Sequence, residues 1–350
     1  MKKIVTINPG ATSTKVAYFE DESLKWKEEI TYSSEINRFE HVFDQFDMRY
    51  EDLKQLLSEH HIEDIDVAVG RGGLIGPVKS GGIEVTEKLI HKLQYDPVLE
   101  HPSNLGSKLA YEVAKNFGKK DAKAYIYDPV TVDAMSDVAR LTGLKEVQRT
   151  SIGHHLNMRA VAMKAAKDLN RFYEDINVIV VHLGGGASAS AHEKGEIVDF
   201  VSDDEIMFSA ERSGGLPIKE ALKLLKHMSL EAFNTLVRKE AGLQSHCGTK
   251  DLKEIGNRIE NGDAYARLVI EAMALGVAKC IASLSATLKG DVDAICVTGG
   301  MVHYPLLREE IEARVKFIGE LIAYPGEFEM EALAMGGLRI INQQEAVNTF

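Results

Sequence analysis

Two stretches of the chain alternate apolar and small polar positions around a glycine turn. Residues 4–17 read IVTINPGATSTKVA, and residues 180–193 read VVHLGGGASASAHE. In each, a β-rich run enters the glycines and leaves through hydroxyl residues spaced two apart, the period of a strand. Both stretches therefore predict a strand–turn–strand hairpin, not a strand feeding a helix. At an offset of 176, Gly10 falls on Gly186, Ala11 on Ala187, Thr12 on Ser188 and Thr14 on Ser190. An echo at about half the chain length predicts a duplicated α/β fold.

The same patterning predicts further strands at 65–69, 124–128, 195–201 and 293–298, and helices at 104–117, 155–169, 217–227, 229–240 and 263–289. Ser103 and Ser229 stand at N-cap positions, and Pro217 at the first position of its helix. Strands alternating with helices imply sheets covered by helices. No Pro-rich or Ser-rich linker parts the halves, so two closely packed domains with a cleft are expected. The division is drawn at 1–150 and 151–330, with a C-terminal helix at 331–350 packing back on the first domain.

Composition narrows the function classes. The chain has 350 residues, with 41 Lys plus Arg against 53 Asp plus Glu, for a net charge of −12. There is no basic stripe of the kind that displaces counterions from nucleic acid. Cys247, Cys280 and Cys296 form no C-x-x-C pair, which argues against a disulfide framework or a zinc site and fits a reducing cytoplasm. The first apolar run is too short for a signal peptide, and no stretch is read as the roughly 20 apolar residues of a membrane span.

Four glycine turns follow predicted strands: Asn8–Thr14, Gly70–Gly73, Gly184–Ser188 and Thr298–Gly300. Glycine lets backbone N–H groups converge on an anion, and the hydroxyls of Thr12, Ser13 and Ser188 could add donors. Each turn alone is equally an ordinary tight hairpin; four together point to polyphosphate. There is no G-x-x-x-x-G-K-[ST] motif. Residues 184–189 satisfy G-x-G-x-x-A, yet a strand-like run follows instead of the helix that a dinucleotide site requires.

Charged residues flank these turns. Arg71 lies within Gly70–Gly73 and Arg212 within Glu211-Arg212-Ser213-Gly214-Gly215. Each is either a solvated surface arginine or a planar fork for a carboxylate or phosphoryl group. Asp128 ends a strand before Pro129, where α/β folds place their sites, and is otherwise a turn aspartate. His154 and His155 open a helix, either as packing residues or as groups near a developing phosphoryl charge.

Together these residues resemble the acetate and butyrate kinase family of the actin-like sugar kinase and Hsp70 superfamily. Residues 8–15, NPGATSTK, are similar to its N-terminal N-x-G-[SA]-[ST]-S-[ST]-K signature, and Val181–Ser188 to its second signature. Arg212-Ser213-Gly214 resembles its arginine loop, and Tyr127-Asp128 its strand-end aspartate. The resemblance spans nearly the whole chain. It implies duplicated actin-like (ribonuclease H-like) domains and reversible, in-line transfer from ATP to a short-chain carboxylate, giving acyl phosphate and ADP with Mg²⁺. It assigns the carboxylate and transferring phosphoryl group to Arg71 and Arg212, and the positioning of substrate or metal-bound water to Asp128. Asn8 and Glu331, with Glu329 as rival, would lie near the metal. Thr12, Ser13, Lys15 and Gly184, Gly185 and Gly186 would face the phosphates, and Asp251, Gly299 and Gly300 would border the adenosine. An earlier histidine of the family aligns with His154, and the family also suggests self-association.

Gly185 stands where acetate kinases carry Asn, their G-T-S-H segment is replaced around His154–Met158, and the arginine loop reads RSGGLP. These departures resemble the butyrate kinase branch more than the acetate kinase branch. Three other readings stay open: a regulatory nucleotide-binding switch, a kinase for acetate, propionate or a branched acid, and a sugar kinase.

Overall fold

The computed structural model describes residues 1–32 and 34–350. The chain divides into two compact units, Met1–Asp133 with Phe328–Phe350, and Ala134–Glu327. These limits fall earlier than the 150 and 330 drawn from the sequence.

The first unit is built on a six-stranded sheet in the order β3-β2-β1-β4-β6-β5. Its strands are β1 Lys3–Pro9, β2 Ser13–Glu20, β3 Ser23–Thr31, β4 Ile65–Arg71, β5 Gly82–Glu84 and β6 Gly118–Tyr127. Neighbours from β3 to β1 are antiparallel, and β4 and β6 run parallel to β1. Central strands of such a sheet are covered on both faces and read as continuous apolar runs. Accordingly Ile4, Val5, Thr6 and Ile7 of β1 are all 0% exposed. Val5 and Ile7 pack with Leu53 and Leu57 of helix Phe46–Glu59 and with Leu109 and Val113 of helix Leu105–Phe117. Helix Glu329–Ile341 covers the other face, where a methyl on Gly336 would sit 2.6 Å from the Tyr127 ring.

Close backbone packing sets the carboxyl end of β4. A methyl at Gly70 would collide with the Gly106 carbonyl oxygen, and one at Gly106 with the carbonyl of Arg71. Backbone cannot yield as a side chain can. Gly70→Ala is therefore expected to cost about 3 kcal/mol, the upper end for overpacking, read as a lower denaturant midpoint at unchanged slope.

The second unit repeats the plan. Its five-stranded sheet has the order β11-β10-β7-β8-β9, from β7 Asn177–Leu183, β8 Ala187–Glu193, β9 Glu196–Val201, β10 Ala294–Gly299 and β11 Leu321–Pro325. Reversed, this is β9-β8-β7-β10-β11, which matches β3-β2-β1-β4-β6 strand for strand and direction for direction. Both echoing stretches are hairpins, as their alternation predicted, and the duplicated actin-like plan holds.

The residue equivalence needs correcting. Pro9–Thr14 closes the first hairpin and Leu183–Ala187 the second, so the offset is 174 on the first strand and 173 on the next, not 176. Gly10 therefore corresponds to Gly184. The first turn is one residue longer, and a match of small residues slid past that difference.

Helix Ala264–Thr287 corrects a second expectation. It is 24 residues long with a mean hydropathy of 1.7 over its most apolar window, enough to cross a membrane by length and composition alone. Half of that window is buried inside the protein, where Val269, Met273, Val277 and Ile281 form part of the core beneath β7 and β8. Tyr265, Leu268 and Leu275 are exposed, so the helix is buried on one side only.

Ser229 caps its helix by accepting from the Ala232 N–H at 3.2 Å. Ser103 is not a cap: a 3-10 turn over Pro102–Asn104 precedes the helix, and Asn104 holds the N-cap position. Pro217 sits one residue before its helix, which begins at Ile218.

Candidate functional site

In the first unit, strand ends and one helix start converge on a cavity of about 280 Å³. Asn8 is the penultimate residue of β1, Ser13 and Lys15 open β2, Arg71 ends β4, and Glu329 is the first residue of its helix; all line the cavity with Gly10, His101 and Val130. Ser13 and Lys15 share a face because strand side chains alternate, while Thr14 between them points into the unit and is 0% exposed.

Arg71 is only 8% exposed. Its guanidinium is paired with Glu329 through Nη1, and its buried Nε has no hydrogen-bond partner among the described residues. The surface-arginine alternative is thereby removed. The Asn8 amide donates to the other Glu329 oxygen at 2.6 Å. The sequence expectation placed Glu331 here; Glu329 is the carboxylate that meets Asn8 and Arg71. Two residues along a helix turn a side chain by about 200°, which aims Glu331 elsewhere. Burial and then the Arg71 charge hold the His101 imidazole below its ordinary pKa, so it is neutral at pH 7.

Asp128 is 2% exposed and does not line the cavity. Its φ of +39° is unusual for a residue with a side chain. Its carboxylate accepts from the Gly81 N–H at 2.6 Å, while its own N–H donates to the Gly81 carbonyl at 3.1 Å. This locks the loop that carries Val130 into the cavity wall. Thr12 is exposed, also outside the cavity lining, and its carbonyl accepts from the Tyr32 N–H at 2.8 Å.

Among the described residues no group of three or more His, Cys, Asp or Glu is arranged for a metal ion. Mg²⁺ does not need one: it takes hard oxygen donors and commonly one or two carboxylates, with water and phosphate completing its shell. Asn8 and Glu329 supply donors of that kind, so the residues present fit the ion.

In the second unit the Gly184–Gly186 turn joins β7 to β8. The Gly184 N–H donates to the Gly186 carbonyl at 3.0 Å, and the Gly185 carbonyl accepts from the Glu211 N–H at 3.1 Å and the Ser209 hydroxyl at 2.6 Å. A methyl on Gly185 would lie 3.1 Å from a Glu211 oxygen, and one on Gly186 would lie 3.7 Å from an Asp203 oxygen and 3.9 Å from the His154 ring. The turn thus sits beside Arg212, whose Nε donates to Asp203 at 3.1 Å and whose Nη1 donates to the Arg238 carbonyl. Glu211 lies 3.8 Å from Arg212 and is paired with Lys250.

His154 is the N-cap of helix His155–Asp168. Its Nδ1 is 2.9 Å from the Ser188 hydroxyl, and its ring stacks on His182 at 4.0 Å. Asn157 lies 3.1 Å from the His182 ring nitrogen Nδ1 and 3.4 Å from the Thr298 hydroxyl. Of these groups, Asp203, Asn157 and Ser209 carried no sequence signal, because each matters through a neighbour distant in the chain.

A second cavity in this unit, of about 540 Å³, is lined by Asp251, Lys253, Asn257, Gly300, His303 and Tyr304 among others. Asp251 also caps helix Leu252–Glu260 through the Lys253 N–H at 2.8 Å. The Gly299-Gly300 pair divides its work. Gly299 has φ +98° and no room for a methyl beside the Leu183 backbone, whereas Gly300 borders open space on the cavity wall.

Comparison with known proteins agrees with this plan. Residues 145–346 match the model of the acetokinase family. The chain is 41% identical to butyrate kinase 2 of Clostridium acetobutylicum and 40% identical to a probable butyrate kinase of Coprothermobacter proteolyticus, each over 99% of both chains. Its fold is similar to that of Porphyromonas gingivalis acetate kinase, with a TM-score of 0.79 at 19% identity, over 97% of this chain and 100% of that one.

Proposed function

We infer the activity from one premise: the chain belongs to the acetokinase family. It is a carboxylate kinase, which transfers the terminal phosphoryl group of ATP to a carboxylate and leaves ADP. Within that class the acid we propose is butyrate, the substrate named for the two full-length relatives at 40% and 41% identity. A carboxylate oxygen attacks the γ-phosphorus as the bond to the β-phosphate oxygen breaks, and the electron pair leaves with ADP. No covalent phosphoenzyme is needed once the repulsion between the two anions is reduced.

The observation that carries the reading is Arg71: a guanidinium nine-tenths buried at a cavity wall, with a buried Nε–H that no group among the described residues accepts. A group of that kind suits a carboxylate or a transferring phosphoryl oxygen. Arg212 is assigned to the same charge neutralisation. Asn8 and Glu329 would hold Mg²⁺, which supplies charge neutralisation on the phosphates. Ser13, Lys15, Thr12 and the Gly184–Gly186 turn are assigned to phosphate, and Asp251, Gly299 and Gly300 to the nucleoside end. Asp128 acts by fixing the cavity wall, and His154 by its contact with Ser188 beside the glycine turn.

The test is acyl hydroxamate formation from ATP, Mg²⁺, hydroxylamine and a carboxylate. Butyrate is expected to give the highest kcat/KM in a series with acetate, propionate and isobutyrate. Each methylene is worth about 1–3 kcal/mol in such a pocket, so propionate should retain measurable activity. Absence of product with all four acids would overturn the kinase reading; preference for acetate would overturn only the choice of acid.

A further inference from the structure

Arg49 is 0% exposed, a buried cation on helix Phe46–Glu59 that the proposed chemistry does not use. Its five N–H donors are all engaged, and every acceptor is neutral. Nε and Nη2 donate to the Gln45 side-chain oxygen at 3.1 and 2.9 Å. Nη1 donates to the Ser13 carbonyl at 3.0 Å and the Thr14 hydroxyl at 2.9 Å, and Nη2 to the Gly10 carbonyl at 2.9 Å. The Tyr32 ring lies 4.7 Å from the guanidinium carbon. No carboxylate among the described residues comes within ion-pair distance of it. Burial lowers its pKa, yet a guanidinium stays protonated, so the unit holds a positive charge with no ion-paired carboxylate among the described residues; an acid of the cavity, Glu29, is bonded instead by the Ser13 hydroxyl.

Three of these bonds end on the turn that joins β1 to β2, whose Gly10 and Ser13 line the cavity with Arg71. Drawing the Gly10 carbonyl toward Arg49 turns the Ala11 N–H to the opposite side, because the peptide group is planar and trans. Thr14 faces Arg49, and Ser13 and Lys15 face the cavity, so the guanidinium lies behind the hairpin.

We propose that Arg49 is a positioning residue for the phosphate-facing turn: from behind, it pins the turn's carbonyls and supplies a positive charge, held in no ion pair among the described residues, to the anion in front. A buried cation with neutral partners is costly on its own and gains when an anion binds nearby. The proposal rests on the reading that this turn meets the phosphates of ATP.

Gln45→Glu separates this role from simple structural support. The glutamate keeps the shape and both acceptor bonds to Arg49 but cancels its charge. A structural role predicts equal or higher thermal stability and unchanged ligand binding. The proposal predicts retained folding with ATP affinity about tenfold weaker by calorimetry, and adenosine affinity unchanged, since the effect acts on phosphate charge across roughly a strand's thickness. Arg49→Lys, which keeps charge but loses the fork, is expected to weaken ATP by a similar factor; if that variant does not fold, Gln45→Glu decides alone. Wild-type ATP affinity in folded Gln45→Glu would overturn the proposal. The measurement needs no carboxylate, so it stands apart from the hydroxamate assay that tests the kinase reading.

Discussion

Replacing Arg71 with alanine is expected to lower carboxylate-dependent turnover by about 10³-fold or more, the scale on which arginines act in phosphoryl transfer. The side chain is held in place before any substrate arrives. Gly70 and Gly106 pack backbone to backbone and fix the end of β4, and Glu329 pairs with one arm of the guanidinium. The fork therefore needs little reordering when a carboxylate or phosphoryl oxygen approaches, which is the condition for strong electrostatic stabilisation. Arg71→Lys should recover little, because an ammonium is a point charge and cannot present two parallel donors. Arg71→Ala also leaves Glu329 without its cation at a partly buried position, so stability should fall with activity. Adding Glu329→Gln should restore part of the stability and none of the turnover. Turnover within tenfold of wild type in folded Arg71→Ala would remove Arg71 from the reaction.

Arg212→Ala is expected to cost about 10²- to 10³-fold in kcat with a smaller change in KM for the acid, the pattern of an interaction made mainly in the transition state. Here the fold should be almost indifferent. The side chain is 24% exposed, and its carboxylate partners at 3.1 and 3.8 Å are themselves about a quarter exposed, so the pairs contribute little to stability. Asp203 and the Arg238 carbonyl instead hold the arginine beside the Gly184–Gly186 turn. An unchanged melting temperature with lost kcat supports the role. An unchanged kcat would leave Arg212 as a surface ion pair.

The amino-acid sequence by itself determined the two hairpins, the helices after them and the glycine turns at strand ends, because alternation, caps and glycine act over a few neighbouring residues. It also placed Arg71, Asn8 and Lys15 in or beside those turns, whereas Arg212 stood in a glycine run of its own and came to the Gly184–Gly186 turn only through tertiary contacts of Glu211 and Asp203. Elements stabilised only by partners were not legible. Strand β3, SLKWKEEIT, is largely exposed and charged like many edge strands, and carries no clean apolar alternation; its pairing with β2 makes it a strand. Helix Phe46–Glu59 is not among the elements the patterning predicts, and the burial of Arg49 within it arises only when the hairpin is laid over it. The choice between Glu329 and Glu331 rests on helix phase, which two carboxylates in EMEAL cannot declare until the helix start is known. The echo at 176 failed for a related reason: turn length is set by which residues close the ladder, and hydrogen-bond register is a property of two strands together. Local chemistry wrote the elements, while burial, phase and register, which depend on contacts between residues far apart in the chain, were decided only when those elements packed.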